Sequence, residues 1–257
     1  MTSRKSAPTG FQRLASSEDL MIMGGNEASP GSLPYQAGLI RTYSDGVRFC
    51  GGSLITRRYV LTAARCLSSG LQSLEVILGA QKVFEDEPSQ QVIRTSRFKM
   101  HEQYNNQLQD NDIGIVYLPT PASLNQYVQL IALPSRADAA NNFVGSQAIA
   151  SGWGYIYANG VGLSEVLQYV DVSIVPNNVC RIQLGPAITS SNICSGGTDV
   201  KGTCYGDSGG PLVSNGKLVG VASFIGNPDC QAGDPSAFTR VTSYLSWIAA
   251  NSDAVIS

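Results

Sequence analysis

The chain has a single histidine, His101, in 257 residues. Chemistry built on clustered imidazoles is thereby excluded, and no C-x-x-C pair stands in for them, so a zinc site is not expected. Charged residues make up only 14% and the formal net charge is -2. That leaves no excess of Lys and Arg for phosphate recognition, which argues against a nucleic-acid binder. Lysine is scarce, five of the 17 basic residues, and the local "TRR" at 56–58 reads as a solvated turn. No run approaches the roughly 18 apolar residues of a membrane span. The opening "MTSRKSAPTGFQRLASSEDLM" lacks the apolar stretch of a signal peptide, and no Asn-x-Ser/Thr sequon occurs.

What is present points to a compact β protein. Hydrophobic residues reach 43%, enough for a sizeable core in one large domain or two small ones. Six cysteines, at 50, 66, 180, 194, 204 and 230, read as three disulfides and so as an oxidising, extracellular compartment. Residues 1–21 are patternless and are expected to form an exposed leader. From Ile22 onward short β-type runs recur about every ten residues: "YQAGLI", "RFCGGSLI", "YVLTAA", "LEVILGA", "QVIRTSRF" and "IGIVYL", then "SQAIASGWG", "LQYVDVSIV", "PLVSNGKLVGVASF" and "SAFTRVT". Such spacing predicts a barrel or sandwich rather than alternating α/β units. "SNGK" at 214–217 is a hairpin signal, because a tight primed turn favours Asn-Gly at its centre. Helical spacing is confined to 241–251, where Val241, Tyr244, Leu245, Ile248 and Ala249 line one face. "ALPSRADAANN" at 132–142 is the expected bridge between two sets of strands.

The most informative stretch is "GTCYGDSGGPLV" at 202–213. Glycines around Ser208 permit a tight turn that exposes the hydroxyl and aims the Gly206 and Ser208 N–H groups at one point, as a developing oxyanion requires. With "IMGG" at 22–25, "CGGSLI", "VLTAARC", "DNDIGIVYL", "SGWG" and "AFTRVTSYLSWI" in order, the chain resembles the chymotrypsin-like serine proteases over nearly all of 22–250. It is most similar to arthropod chymotrypsin- and collagenase-type enzymes.

This resemblance implies an all-β fold of two six-stranded antiparallel barrels with a C-terminal helix: a first barrel over about 22–130, a second over about 131–240, and the helix over about 241–251. It implies the disulfides Cys50–Cys66, Cys180–Cys194 and Cys204–Cys230. Ser208 matches the nucleophile and Asp112 the buried carboxylate, with Gly206 and Ser208 as oxyanion hole. Gly202, Ile225 and Ser236 match the substrate pocket. None is acidic, which implies apolar specificity, and branched Ile225 crowds the mouth. Ile22 matches the N-terminus freed on maturation, whose ammonium pairs with Asp207, although Met21 is not the Arg or Lys that commonly precedes the cut. Ala80 stands where calcium-binding relatives carry a carboxylate, and Glu85, Asp86 and Glu87 read as a solvated acidic loop. No cofactor or metal is implied.

One position departs. Where the family carries its catalytic histidine this chain has Arg65, and His101 falls where members carry an exposed loop histidine. A guanidinium has no lone pair with which to take a proton from Ser208. It can satisfy Asp112 as a bidentate salt-bridge partner. The expectation is a secreted, catalytically impaired or inactive homologue. It would act through a peptide or protein ligand in the cleft, such as a protease inhibitor or a cascade protease, as a monomer binding neither nucleic acid nor membrane. The alternative is an active secreted chymotrypsin-like endopeptidase cleaving after apolar residues, digestive in role.

Overall fold

The computed structural model describes residues 24–155, 162–197, 201–227 and 229–257. Among the described residues fourteen strands form two antiparallel sheets, as the recurring β-type runs predicted. The first contains β2 (Gln36–Tyr43), β3 (Gly46–Thr56), β4 (Tyr59–Thr62), β5 (Ser73–Leu78), β6 (Gln91–Thr95), β7 (Phe98–Met100) and β8 (Gly114–Tyr117), in the order β6-β5-β2-β3-β4-β8-β7. Its end strands, β6 and β7, are separated in the chain only by Ser96 and Arg97. One bent strand therefore closes this sheet, and the count of six holds if β6 and β7 are taken together.

The second sheet contains β9 (Gln147–Gly152), β10 (Gln168–Val175), β11 (Asn192–Ser195), β12 (Pro211–Ser214), β13 (Lys217–Ile225) and β14 (Ser236–Arg240). It closes on itself because β10 pairs with β9 as well as with β11. The short β1 (Asn26–Glu27) adds to β10. The expected first-barrel span thus gives its opening strand to the second sheet. On β10, Val170, Val172 and Ile174 point inward while Asp171 and Ser173 face out, the period-2 pattern of a barrel wall with one wet face.

Two cores result. Leu39, Leu54, Val76 and Ile115 fill the first barrel, and Val172, Ile193, Leu212 and Phe238 fill the second. Trp153, fully buried after β9, meets Phe49 of β3 edge to face at 6.0 Å and joins the halves. At the end, a 3-10 turn over Val241–Tyr244 runs into helix α2 (Leu245–Asn251). Val241, Tyr244, Leu245 and Ile248 bury the expected face, all against the first barrel's core, while Ala249 is half-buried. The hairpin at Ser214–Lys217 has Asn215 and Gly216 at φ 50° and 71°, as a primed turn requires.

Two elements depart from the reading of the sequence. Helix α1 (Asn177–Leu184) lies where no helical spacing was recognised. It buries only Cys180, which the Cys180–Cys194 bridge ties to β11, so it has no apolar stripe to betray it. β11, four residues long, carries no alternation because it is buried on both faces. All three implied disulfides are present. The "TRR" turn is less solvated than expected: Arg57 Nε donates to the Ala122 carbonyl, and Arg58 Nη1 to the Tyr117 hydroxyl and the Pro119 carbonyl.

Candidate functional site: a serine cleft with arginine on the buried carboxylate

Asp112 precedes β8 and is fully buried. Its carboxylate accepts three hydrogen bonds. The Arg65 backbone N–H donates to Oδ1 at 2.9 Å, Arg65 Nε to Oδ2 at 2.6 Å, and the Ser223 hydroxyl to Oδ2 at 2.7 Å. The Thr239 hydroxyl donates to its backbone carbonyl at 2.8 Å. The salt bridge expected between Arg65 and Asp112 is present, with the arginine side chain 25% exposed and the carboxylate 0%. It is not the bidentate guanidinium fork that was anticipated. The guanidinium contributes Nε and the main chain supplies the second donor.

Arg65 reaches this position from a 3-10 turn, Ala64–Leu67, that follows β4. Cys66 of that turn is bridged to Cys50 on β3. Buried Arg41 of β2 holds the turn's free carbonyls, donating from Nη1 to Cys66 at 3.2 Å and to Arg65 at 3.5 Å. It also donates from Nη2 to the Phe49 carbonyl at 3.0 Å. Burial lowers the Arg41 pKa from its ordinary value. Neither Arg41 nor Ser223 was recognised as part of the site. Ser223 lies in a strand-type run that read as packing and Arg41 just past the end of another, and only the fold brings them to residue 65.

Ser208 lies on the glycine turn between Cys204 and β12. The turn docks on the first sheet through the Gly51 N–H, which donates to the Ser208 carbonyl at 2.8 Å. Gly209, at φ 82°, must be glycine: a Cβ there would strike Thr62 Oγ1 and the Gly51 carbonyl. Gly206 is also left-handed, at φ 98°. Among the described residues, neither the Gly206 nor the Ser208 N–H has an acceptor, and the Ser208 hydroxyl makes no hydrogen bond. Two free amides flanking a free hydroxyl are what an oxyanion site needs.

The pocket residues also converge. Ile225 ends β13 and pairs directly with Ser236 of β14, whose hydroxyl accepts from the Thr203 N–H at 3.1 Å beside Gly202. Gly202 and Ser236 are buried and Ile225 is half-buried. His101 lies elsewhere, against α2, with Tyr244 and Trp247 at ring-centroid distances of 5.4 and 5.3 Å. Its Nδ1 accepts from the Gln103 N–H, and burial lowers its pKa. Ala80 is buried against Phe49 and Val83. The neighbouring acidic stretch is only partly solvated. The Glu87 carboxylate accepts from the Gln81 and Lys82 N–H groups at 2.7 and 3.0 Å and so organises its loop.

Asp207 is buried, its oxygens accepting from the Gly154 and Cys204 N–H groups at 2.8 and 3.0 Å. Burial pushes its pKa up to about 6, against the pull of those two donors. Ile22, the residue expected to meet it, lies outside the described residues.

Two barrels meeting at a buried carboxylate, a serine on a glycine turn and a pair of free amides define a serine-protease scaffold of the chymotrypsin type. The chain belongs to the trypsin family, whose model, described as Trypsin, matches residues 22–248. It is 44% identical to a brachyurin from Leptuca pugilator over 88% of this chain and 96% of the relative. It is 37% identical to a chymotrypsin from Phaedon cochleariae, over 91% of this chain and 83% of the relative. A solved HL collagenase superposes with a TM-score of 0.82 at 37% identity, covering 90% of this chain and 98% of that one.

Two measurements follow. Replacing Arg65 by Met removes one charged donor from Asp112 but leaves the other two, so the expected loss is about 1.5–3 kcal/mol, read by urea unfolding. An unchanged midpoint would show that the bridge adds no stability. For Asp207 the folded pKa, about 6, lies above the ordinary 3.8. The folded state therefore holds a proton that the unfolded state has released, and stability falls as pH rises from about 4 to about 6. The loss approaches about 3 kcal/mol for a shift of this size. Asp207→Asn should flatten that part of the profile in the uncleaved chain.

Proposed function

We propose that this protein is a secreted serine-protease homologue whose cleft binds peptide or inhibitor segments but lacks competent peptide hydrolysis. One observation carries this reading: Arg65, whose Nε donates to Asp112 Oδ2 at 2.6 Å, takes the carboxylate partner's place, from which a base would have to accept the Ser208 proton. Serine is a poor nucleophile until a neighbour accepts its proton, and an arginine offers no lone pair for that purpose. It cannot protonate a leaving amine and then recover the proton either. In this reading Ser208, Gly206 and the pocket of Gly202, Ile225 and Ser236 are binding elements. Three disulfides favour an extracellular setting. A cut before Ile22 would supply the ammonium that neutralises Asp207.

A second reading has its own support, and on the comparisons alone it is the better fit. The relatives are named as a brachyurin, a chymotrypsin and a collagenase, which favours an active secreted endopeptidase cleaving after apolar residues. Ile225 opposite Ser236 would narrow its preference to small apolar side chains.

The two readings part on turnover. With a chromogenic peptide carrying a small apolar residue before the scissile bond, the chain is expected to hydrolyse no faster than its Ser208→Ala form and to leave a fluorophosphonate probe unreacted. Arg65→His should raise kcat/KM by about a hundredfold or more, the usual contribution of a positioned general base. Hydrolysis by the unaltered chain above the Ser208→Ala control would establish the endopeptidase instead.

A further inference from the structure

We propose that the cleft selects peptides ending in a free carboxylate, held between the Gly206 and Ser208 N–H groups and the Arg65 guanidinium. The inference deepens the binding reading above and rests on it. It starts from donors that have no acceptor. Among the described residues the two amides are unengaged. Arg65 spends only Nε on Asp112. Its Nη2 has two distant contacts, Gln109 Oε1 and Ser223 Oγ, both at 3.5 Å, and its Nη1 has none among the described residues.

The arrangement places this half-spent cation beside the pocket. Ser223, which the guanidinium touches, precedes Ile225 by two residues on β13, and Ile225 pairs with Ser236. The amides are joined to the same region from the other side. The Ser208 carbonyl is bonded to Gly51, next to Cys50, and Cys50 is bridged to Cys66 beside Arg65. A carboxylate has two oxygens, and the cleft offers two kinds of donor to match: the amide pair for one, the Nη groups for the other. The Asp207 carboxylate, though next in the chain to both amides, is satisfied by Gly154 and Cys204 and is buried behind them.

Charge sets the selectivity. With a neutral imidazole at position 65, Asp112 would leave the site at -1 and a carboxylate would be repelled. With arginine the pair is neutral overall and turns its positive end to the cleft. An internal peptide bond or a terminal amide presents a neutral carbonyl followed by an N–H, which gives the guanidinium nothing to bind. The ligands are therefore products of hydrolysis, supplied by an endopeptidase that cleaves after small apolar residues, since the last side chain must enter the pocket of Gly202, Ile225 and Ser236.

The test compares N-acetylated tetrapeptides ending in alanine or valine, each as free acid and as C-terminal amide, titrated calorimetrically into the full chain. The acid should bind about 10- to 100-fold more tightly, the range for a charge-assisted hydrogen bond. The advantage should shrink as salt is raised from about 0.05 to 0.5 M. It should vanish in Arg65→Gln, and in Arg65→His at pH 8. If the glutamine variant does not fold, the histidine variant carries the comparison, circular dichroism reporting the state of each. Equal affinity for acid and amide, no binding of either, or an acid preference that survives both substitutions would overturn the proposal. Measured in a Ser208→Ala chain, the ratio is independent of turnover. Its failure there overturns this inference alone, whereas hydrolysis by the unaltered chain overturns the reading beneath it.

Discussion

A carboxylate sealed from water must be surrounded by donors, and the centre of this molecule is organised by that requirement at Asp112. The residue lies just before β8 of the first sheet, but Ser223 of β13 in the second sheet donates to its carboxylate and Thr239 of β14 to its main-chain carbonyl. A third set comes from the 3-10 turn behind β4. The charge therefore ties both barrels and the turn together. Removing every donor would cost several kcal/mol, since an ion left buried and unpaired is far more expensive than one left in water. Asp112 is structural whatever stands at position 65, and its presence alone does not argue for proton transfer.

The same separation runs through the rest of the cleft. The Ser208 turn is fixed by Gly51, by the left-handed Gly209 and by the approach of Thr62, none of which involves the side chain at 65. The pocket is fixed by the β13–β14 ladder. The Ser208 turn and the β13–β14 ladder are thus built by residues other than the one at position 65, so that position can change while they persist. Arg65 fits because its main-chain N–H already faces Asp112 Oδ1 and its Nε reaches Oδ2, so the buried charge stays solvated by protein. The remainder of the guanidinium has only distant contacts, both at 3.5 Å, and the side chain is 25% exposed.

Position in the chain decided which of these features could be read in advance. β10 shows as an alternating run because it has one wet and one dry face, whereas strands such as β3 and β12, buried along both faces, show as short apolar runs bounded by turns. The Asn215-Gly216 turn and the α2 stripe are local signals that depend on nothing distant. The Ser208 turn, the buried aspartate and the arginine beside Cys66 were legible through motif order. Ser223 and Arg41 were not. Each acts through a partner far off in sequence, at separations of 111 and 25 residues, and neither residue type announces such a role. β11 and α1 escaped for a related reason: a strand buried on both faces and a helix with one buried residue carry no periodicity. Glu87 read as solvent-facing because nothing local reveals that its loop curls back to offer two N–H groups.

Family membership and chemistry weigh differently at this site. Identity of 44% to a brachyurin transmits the fold, the disulfides and the form of the cleft, since these rest on dozens of residues that can vary singly without loss. Proton transfer rests on one lone pair. The amide pair does not depend on it, and when a triad member is lost in such sites the amides and substrate binding alone leave roughly 10³- to 10⁴-fold over water, far below full hydrolysis. Resemblance over the whole chain therefore carries less weight on this one question than the chemistry of a single nitrogen. Every nitrogen of the Arg65 guanidinium is a donor, so none can take the Ser208 proton.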